Sequence, residues 1–417
     1  MSHKVSFCAI AIICIFSQTL VAFDLGYEPG ELIVRFLPKA TGEQRTIAER
    51  NAILAAIGGG MVKDSSKFVS GLTLVKLSKE MSVENAIRAF KNTKDILSAQ
   101  PNYIYEPFSM FPNDPNFDQL WNMHNTGQTG GTPDADIDAP EAWDIATDTN
   151  IIVAVIDSGI DYTHPDLTTN MWINPGEDHP PLGIVGPEDF DGVDDDGNGY
   201  IDDIYGYDFS TYGGKERDSD PMDDYHHGTH CAGIIGAVGN NGVGVTGVCW
   251  NAKIMALKFI SYDSATERWR GYTWDAIDAI RYAVKMGAEV TSNSWGSYYY
   301  DSELLAAIEA SDANGVLFVA AAGNDYGNNN DTNPFYPASY DLNNIIAVLS
   351  TNQYDNMSDF SNYGPSFVDL GAPGEDILSC VPGAVMKPIA APLWQRRTWQ
   401  GRAPLCGQSI QHLAIYR

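Results

Sequence analysis

Short apolar runs alternate with helical stretches over most of the chain. Continuous or nearly continuous apolar runs of this length are typical of strands buried on both faces, and they occur at Ile151–Ile156, Ile254–Phe259, Val290–Asn293, Val316–Ala320 and Ile345–Leu349. Between them, apolar residues recur at helical spacing at Trp274, Ile277, Ile280 and Val284, and again at Leu304, Ala307, Ile308 and Ser311. This alternation predicts an α/β fold with a doubly wound, mostly parallel sheet over residues 112–388. Functional groups are then expected at the C-terminal ends of the strands.

A different and shorter pattern occupies residues 26–107. Strands are predicted within Glu31–Phe36, Gly71–Leu77 and Ile96–Tyr105, and helices over Glu43–Ile57 and Val83–Asn92. The β-α-β-α-β order favours a separate, small α+β domain.

The first 22 residues have the pattern of a secretory signal peptide. Lys4 precedes an almost wholly apolar run from Val5 to Phe16, and Ala22 offers a small residue for cleavage. The run is too short to span a membrane. A buried N-terminal helix is disfavoured because Asp24, Gly26 and Pro29 follow at once. We therefore expect a secreted protein, extracellular or periplasmic, with no membrane partner.

Charge narrows the choice of partners further. The 417-residue chain has 54 acidic and 25 basic residues, for a net charge of −29, which argues against nucleic acid or an anionic membrane as a partner. Export permits disulfides, so a bridge between Cys231 and Cys249 and a pair of buried thiols are equally compatible with the sequence.

Two segments carry residue types that are common in catalysis. Asp157 ends the first apolar run, where a buried carboxylate is costly unless it is paired, although a turn-capping Asp is an alternative. His226-His227-Gly228-Thr229-His230 follows later. A zinc site is the rival interpretation of these histidines, but their spacing is not that of H-E-x-x-H, so a general base fits better.

A third segment, Gly323-Asn324, follows the apolar run Leu317–Ala322. An Asn side chain there is well placed to donate to an oxyanion, and a simple turn residue is the alternative.

In this order, the Asp, His-Gly-Thr-His and Ala-Ala-Gly-Asn segments resemble the subtilisin-like serine proteases, from about residue 112 to 382. The resemblance implies that Asp157 orients His227, that His227 is the general base, and that Asn324 is the oxyanion donor. It implies further that Ser294-Trp295-Gly296 pairs with the substrate backbone and that Gly323 lines the pocket next to the scissile bond. Residues 26–107 resemble the propeptide of such proteases, a ferredoxin-like β-α-β-β-α-β domain that chaperones and inhibits its own enzyme. A protein or peptide substrate is expected.

An acidic loop lies between Asp157 and His227. Its alternating oxygen side chains and sharp glycine turn follow the spacing of a calcium loop, at Asp194, Asp196, Asn198, Asp202 and Asp203. Position twelve is Tyr205 rather than Glu, so the loop is not a full EF-hand. A structural Ca²⁺ ion is favoured over a solvated acidic loop, because so many close carboxylates repel one another without a cation.

The serine motif that the family requires, Gly-Thr-Ser-Met-Ala, is absent. No acidic residue follows Asp376, although the rest of the chain is rich in them. Codons can be chosen for residues 389–401 so that a neighbouring reading frame specifies Ser-Gly-Thr-Ser-Met-Ala-Thr-Pro-His-Val-Ala-Gly. The choice is restricted, because tryptophan has a single codon and the segment contains two tryptophans. We interpret residues 389–417 as an out-of-frame tail, with the lost serine falling across Pro392 and Leu393.

The sequence therefore predicts the precursor of a secreted serine endopeptidase whose activity in this form is doubtful. A peptide-binding pseudoprotease is the main alternative, but it has no need of both Asp157 and His227. A calcium-binding structural protein is a weaker one, because it leaves His227 and Asn324 unexplained.

Overall fold

The computed structural model of the chain describes residues 27–104, 110–147 and 150–389. Two compact units divide the chain, Met1–Pro107 and Phe108–Arg417. The expected signal peptide and the expected out-of-frame tail, apart from Ile389, lie outside the described residues.

The first unit is a small antiparallel sheet with two helices. Its strands are β1 (Tyr27–Phe36), β2 (Met61–Ser65), β3 (Leu72–Lys76) and β4 (Ile96–Tyr103), and its helices are α1 (Ile47–Ala56) and α2 (Val83–Lys91). The spatial order is β2-β3-β1-β4, with every neighbouring pair antiparallel. This is the expected β-α-β-β-α-β arrangement. The periodicity alone missed β2 because this strand has no buried residue and therefore no apolar pattern.

Local capping explains where the two helices of this unit begin. The Thr46 side chain accepts the N–H of Glu49, and the Glu49 carboxylate accepts the N–H of Thr46 in return, which forms a capping box. Ser82 caps α2 in the simpler way, through the N–H of Asn85. The apolar sides of the helices and sheet then bury one core that includes Leu32, Leu54 and Phe90.

The second unit is built on a seven-stranded sheet. Its strands are β5 (Ile152–Asp157), β6 (Gly206–Asp208), β7 (Lys253–Lys258), β10 (Val290–Asn293), β11 (Leu317–Ala321), β12 (Ile345–Thr351) and β13 (Leu370–Pro373). All neighbours are parallel, in the order β13-β12-β11-β10-β5-β7-β6. On one side of the β5–β10 pair the chain adds β7 and β6, and on the other side it adds β11, β12 and β13. This order confirms the doubly wound α/β prediction and puts the topological switch point between β5 and β10.

Shorter elements surround this sheet. The helices are α3 (Ala139–Trp143), α4 (His227–Gly236), α5 (Thr273–Lys285) and α6 (Ser302–Asp312). Two hairpins are formed by β8 (Ser261–Asp263) with β9 (Arg268–Arg270) and by β14 (Ile377–Val381) with β15 (Val385–Ile389). Single 3-10 turns occur at Phe117–Gln119, Thr168–Asn170, Pro187–Asp189 and Tyr212–Gly214. No helix in the described ranges is long and apolar enough to cross a membrane.

The sheet is covered on both faces, as its continuous apolar strands require. Val153 and Val155 of β5 join one core, which also contains Cys231, Ala232 and Ile235 of α4. Ala154 and Ile156 face the other way and join a second core with α5 and α6. Since successive side chains of a strand point to opposite faces, the single strand β5 contributes side chains to the cores on both faces of the sheet.

The apolar face predicted for α5 is partly wrong. Trp274 is 64% exposed, whereas Ile280 is fully buried as predicted, and Ala276 and Ala279 are buried beside it. The small alanines let the helix approach the strands closely, whereas an indole at position 274 lies near the end of the helix and points to solvent. Cys231 and Cys249 are buried thiols with no disulfide bond between them. Of the two alternatives that the sequence left open, a disulfide bridge and buried thiols, the structure therefore has the second.

Candidate active site

The end of β5 and the start of α4 bring an acid and a base together. Asp157 is the last residue of β5 and His227 is the first residue of α4. Nδ1 of His227 lies 2.7 Å from Oδ1 of Asp157, and both side chains are buried. The N–H of Ser158 also donates to Oδ1 of Asp157, at 2.7 Å. The ring nitrogen facing the carboxylate is therefore held in one orientation.

A second buried carboxylate holds the helix that carries His227. The residue before the helix, His226, has a left-handed backbone with φ of 117° and gives no side-chain cap. Asp223 supplies the missing acceptor, since its carboxylate receives the N–H groups of His226 and Thr229 and the hydroxyl of Thr229. Ser158 completes the connection, accepting from Gly228 N–H and donating to Asp223, both at 3.0 Å.

Glycine is required directly after the histidine. A Cβ atom at Gly228 would lie 2.1 Å from the carbonyl oxygen of Gly159. The close approach lets the helix start against the loop that follows β5, and this contact keeps His227 within hydrogen-bonding distance of Asp157.

Electrostatics favour the protonated form of His227. Burial alone lowers the pKa of the ring, but the electrostatic interactions with Asp157, Cys231 and Asp223 and the hydrogen bond to Asp157 together more than offset this effect and raise the pKa to about 10. Nε2 of His227 is buried and has no hydrogen-bond partner within the described residues. Asp157 therefore stabilises the charged ring through Nδ1, while Nε2 makes no hydrogen bond to any described residue.

The clustered histidines do not form a common metal site. Nε2 of His230 bonds the carbonyl oxygen of Ile377 at 3.0 Å, and burial lowers the pKa of His230 to about 3. The donor atoms that do come within 4.8 Å of one another are those of Asp157, His227 and Cys231. Only one of the three histidines takes part, so the general-base interpretation suits the geometry better.

Asn324 and Gly323 follow β11 at the same edge of the sheet. Since β5, β10 and β11 are adjacent and parallel, their C-terminal ends lie side by side. Gly323 has φ of 123°, and a Cβ atom there would lie 2.1 Å from Nδ2 of Asn362. Asn362 fixes this turn through the N–H of Asp325 and the carbonyl of Ala322. Sequence patterns missed Asn362, because it lies 37 residues beyond the turn it holds.

The expected substrate edge borders a cleft. Ser294 and Trp295 are buried, Gly296 is exposed, and the Trp295 indole donates to the carbonyl oxygen of Ile156 at 2.9 Å. Trp295 and Gly296 form one wall of a cleft of about 530 Å³, whose other lining residues include Trp269, Arg270, Gly271, Tyr272 and Tyr299. Aromatic side chains therefore make up much of the lining of this cleft.

The chain is similar to known proteins in both of its units. Residues 148–400 match the subtilase family, and residues 22–102 match the fervidolysin N-terminal prodomain. The chain belongs to the subtilase family. It is 33% identical over 369 residues to the thermophilic serine proteinase of Bacillus sp. (strain AK1), covering 88% of this chain and 75% of that protein. It is 37% identical over 247 residues to thermitase of Thermoactinomyces vulgaris, covering 59% of this chain and 71% of that one.

A solved structure agrees with the fold. The matching chain, described as one of the proteases from Pseudoalteromonas arctica PAMC 21717, aligns with a TM-score of 0.52 and 27% sequence identity. The alignment covers 73% of this chain and 85% of that one.

The acidic loop gathers some of its predicted ligands and adds a new one. Asp194 and Asp196 are grouped with Glu177, with one oxygen of each within 4.8 Å of the others; we call this group the carboxylate triplet. Glu177 is buried, and its Oε1 accepts the N–H groups of Asp195 and Asp196. The loop spacing could not reveal Glu177, because it lies 17 residues before Asp194.

The other three predicted ligands have different partners. Asp203 is buried and bonded to Asn174 and to the Tyr282 hydroxyl, and desolvation raises its pKa in spite of these bonds. Asn198 donates its amide to Asp196 and Asp203. Asp202 accepts the N–H of Gly192. None of these three is part of the carboxylate triplet.

The shifted-frame serine motif lies outside the described residues except for Ile389. Two serines of the C-terminal region, Ser379 and Ser409, lack the Gly-Thr-Ser context of the motif. Ser379 is fully buried and donates to the carbonyl oxygen of His230 at 2.8 Å. A buried hydroxyl engaged in this way is not a nucleophile. Ser409 lies outside the described residues.

Proposed function

We propose that this chain is the precursor of a secreted serine endopeptidase that hydrolyses peptide bonds by Asp-His-Ser acyl transfer, and that it lacks the serine in this form. The observation that carries the proposal is the contact of 2.7 Å between Asp157 Oδ1 and His227 Nδ1, with Nε2 of His227 left unpartnered. In its neutral form the ring of His227 accepts a proton at Nε2, and Asp157 stabilises the imidazolium that results.

Each residue of the pair has a defined task in that reaction. With a serine hydroxyl beside Nε2, His227 removes its proton as the serine oxygen bonds to the scissile carbonyl carbon. Asp157 stabilises the charged ring, and Asn324 donates to the oxygen that becomes negative. His227 then returns the proton to the leaving amine, and water completes the hydrolysis by the same route.

The proposal also assigns roles outside the catalytic pair. The Ser294–Gly296 edge pairs with the backbone of a protein substrate. The unit before Pro107, which matches a prodomain, acts as chaperone and inhibitor of its own peptidase unit. The apolar run Val5–Phe16 directs export.

A structural calcium ion is part of the proposal. The carboxylate triplet offers only oxygen ligands, which calcium prefers, and Glu177 keeps one oxygen fixed by two backbone N–H groups. Burial raises the pKa of Glu177, and its carboxylate neighbours raise it further, which is the electrostatic cost that a bound cation offsets. Calcium bound there stabilises the acidic loop and takes no part in the chemistry.

A peptide-binding pseudoprotease is the second candidate. The cleft beside Trp295 and Gly296 favours it, since that cleft needs no serine to hold a peptide. The two candidates differ in the role of His227, which is essential for hydrolysis and dispensable for binding.

Serine-hydrolase labelling separates the two functions. We expect no labelling of the 417-residue chain by a fluorophosphonate probe, and labelling after the frame is restored before Ile389. The His227→Ala variant of the restored protein should lose peptide cleavage, while Asp341→Ala, an exposed carboxylate, should retain it. A restored protein that binds peptide but neither labels nor cleaves would favour the pseudoprotease. Labelling of the original chain would contradict the assignment of its C-terminus.

A further inference from the structure

A second group of metal-binding atoms lies in the acidic loop region, and it contains a histidine. One donor atom each of His179, Asp191 and Asp195 lie within 4.8 Å of one another; we call these residues the histidine triplet. The histidine triplet shares no residue with the carboxylate triplet. We propose that the histidine triplet binds a divalent transition-metal ion, for which zinc has the best-matched chemistry.

A buried carboxylate lies beside the ring of His179. Nδ1 of His179 is buried and lies 3.5 Å from Oδ1 of Asp189. Asp189 is itself fixed, because it accepts the backbone N–H groups of His179 and Gly186, each at 2.6 Å. Its negative charge favours the tautomer with the proton on Nδ1. A carboxylate behind a histidine is the arrangement that directs the opposite ring nitrogen to a metal ion.

The opposite nitrogen faces another carboxylate. Nε2 of His179 lies 3.4 Å from Oδ2 of Asp195. With the proton on Nδ1, a nitrogen lone pair and a carboxylate oxygen confront each other, and a cation between them removes the repulsion. Tetrahedral zinc with ligands about 2.0–2.1 Å away holds them about 3.3–3.4 Å apart, which this distance matches.

The third member separates a metal ion from a simple ion pair. A doubly protonated His179 has two N–H groups, and the carboxylates closest to them are Asp189 and Asp195, at 3.5 and 3.4 Å. Neither is left for Asp191, whose carboxylate oxygen also belongs to the histidine triplet. A metal ion has room for this third ligand and for a water molecule as the fourth.

The ligand types decide which ion belongs in which group. Imidazole nitrogen with carboxylate oxygen suits zinc and related transition metals, whereas calcium and magnesium prefer oxygen alone. The acidic loop therefore carries two neighbouring cation sites with different preferences. An ion in the histidine triplet joins residue 179 to residues 191 and 195 and closes the intervening segment.

Zinc binding to the full-length chain tests the proposal without any need for peptidase activity. Purified chain freed of metal is titrated with zinc in competition with a chromophoric chelator. We expect one zinc ion per chain, and an affinity lower by roughly tenfold or more in His179→Gln, the size of effect found even for outer-shell changes at metal sites. His124→Gln, which changes a half-buried histidine outside both triplets, is the matched control and should bind zinc like the parent.

A second variant separates the two triplets. Asp194→Asn should lose calcium binding and keep the parent affinity for zinc. The proposal is overturned if the chain binds no zinc, if His179→Gln binds it like the parent, or if Asp194→Asn weakens zinc as much as His179→Gln does. Should His179→Gln fail to fold, cobalt added to the parent chain gives the answer, because intense tetrahedral visible bands support the histidine triplet and weak octahedral bands contradict it.

Discussion

The Oγ atom of Ser158 lies 3.0 Å from Oδ1 of Asp223, and this hydrogen bond joins the residue after β5 to the carboxylate that caps α4. Asp157 and His227 are thus held by more than their own contact. Asp223 is nine-tenths buried or more, and its environment consists of donors from the backbone of the helix start and from two hydroxyl groups. Asp223 thus supports the Asp157–His227 contact through the residues next to it, Ser158 and Gly228.

Replacing Asp223 by Ala should destabilise the chain. The change leaves several buried N–H groups without an acceptor, and each such loss costs about 1–3 kcal/mol. The free energy of unfolding in urea should fall by at least this much, and Asp341→Ala, at an exposed site, should change it little. Equal stability of the two variants would mean that the cap is dispensable.

The pH dependence of stability should report the Asp157–His227 contact. The pKa of His227 is raised from 6.5 to about 10 in the folded state. The protonated ring therefore stabilises the fold fully below pH 6.5, and this contribution is lost as the pH rises through about 10. The difference in unfolding free energy between the parent and His227→Gln should shrink over that interval. A difference that does not vary with pH would contradict the assignment.

Asp208 should also make stability fall as the pH rises, but at lower pH and because its charged form is the disfavoured one. Burial raises its pKa from 3.8 to about 6, so the folded state favours the protonated carboxyl. Ionisation above pH 6 then costs stability, by about 3 kcal/mol at most. Asp208→Asn should be more stable than the parent above pH 6, with the advantage vanishing as the pH falls below 3.8. Thermal unfolding of both proteins across this range measures the effect.

Calcium should raise the thermal midpoint of the chain, because an ion that binds only the folded state stabilises it. At about one hundred times its dissociation constant the gain is about 2.7 kcal/mol. Glu177→Gln should reduce this gain, whereas Glu303→Gln, on the exposed surface of α6, should not. Midpoints that are the same in chelator and in millimolar calcium would exclude the site.

The chain should keep its prodomain attached. Autoprocessing between Pro107 and Asn113 needs the nucleophile, so the segment from Gly26 to Pro107 should remain linked after signal removal. N-terminal sequencing of protein made in a protease-free system tests this expectation. A clean cut in that linker would refute it, and the frame-restored protein serves as the positive control.

Much of the sheet could be predicted because buried parallel strands have continuous apolar runs, and β5, β10 and β12 lie where those runs predicted. The strand β6 could not be predicted, since Gly206–Asp208 is a short edge strand without such a run. Periodicity also failed at Trp274, where a large apolar residue sits at a helical position but faces solvent.

For the site, the motif residues could be predicted and their supports could not. Asp157 and His227 stand in recognisable local segments, and the distance of 2.7 Å between them agrees with their expected pairing. Asp223, Asn362 and Glu177 act through contacts made by the folded backbone, and nothing in their immediate neighbours marks them. Sequence patterns identify residues that a motif requires, whereas supports of this kind depend on which segments meet in space.

The hairpin of β14 and β15 sets the order in which the catalytic helix is completed. Ser379 donates to the carbonyl oxygen of His230 across 149 residues, and a Cβ at Gly233 would lie 2.4 Å from the Ser379 hydroxyl. One side of α4 is therefore finished only by residues made late in translation, and contacts so distant along the chain form slowly. We expect residues 157 and 227 to leave the ribosome long before their geometry is final, so the Asp157–His227 contact is completed only after most of the second unit has emerged.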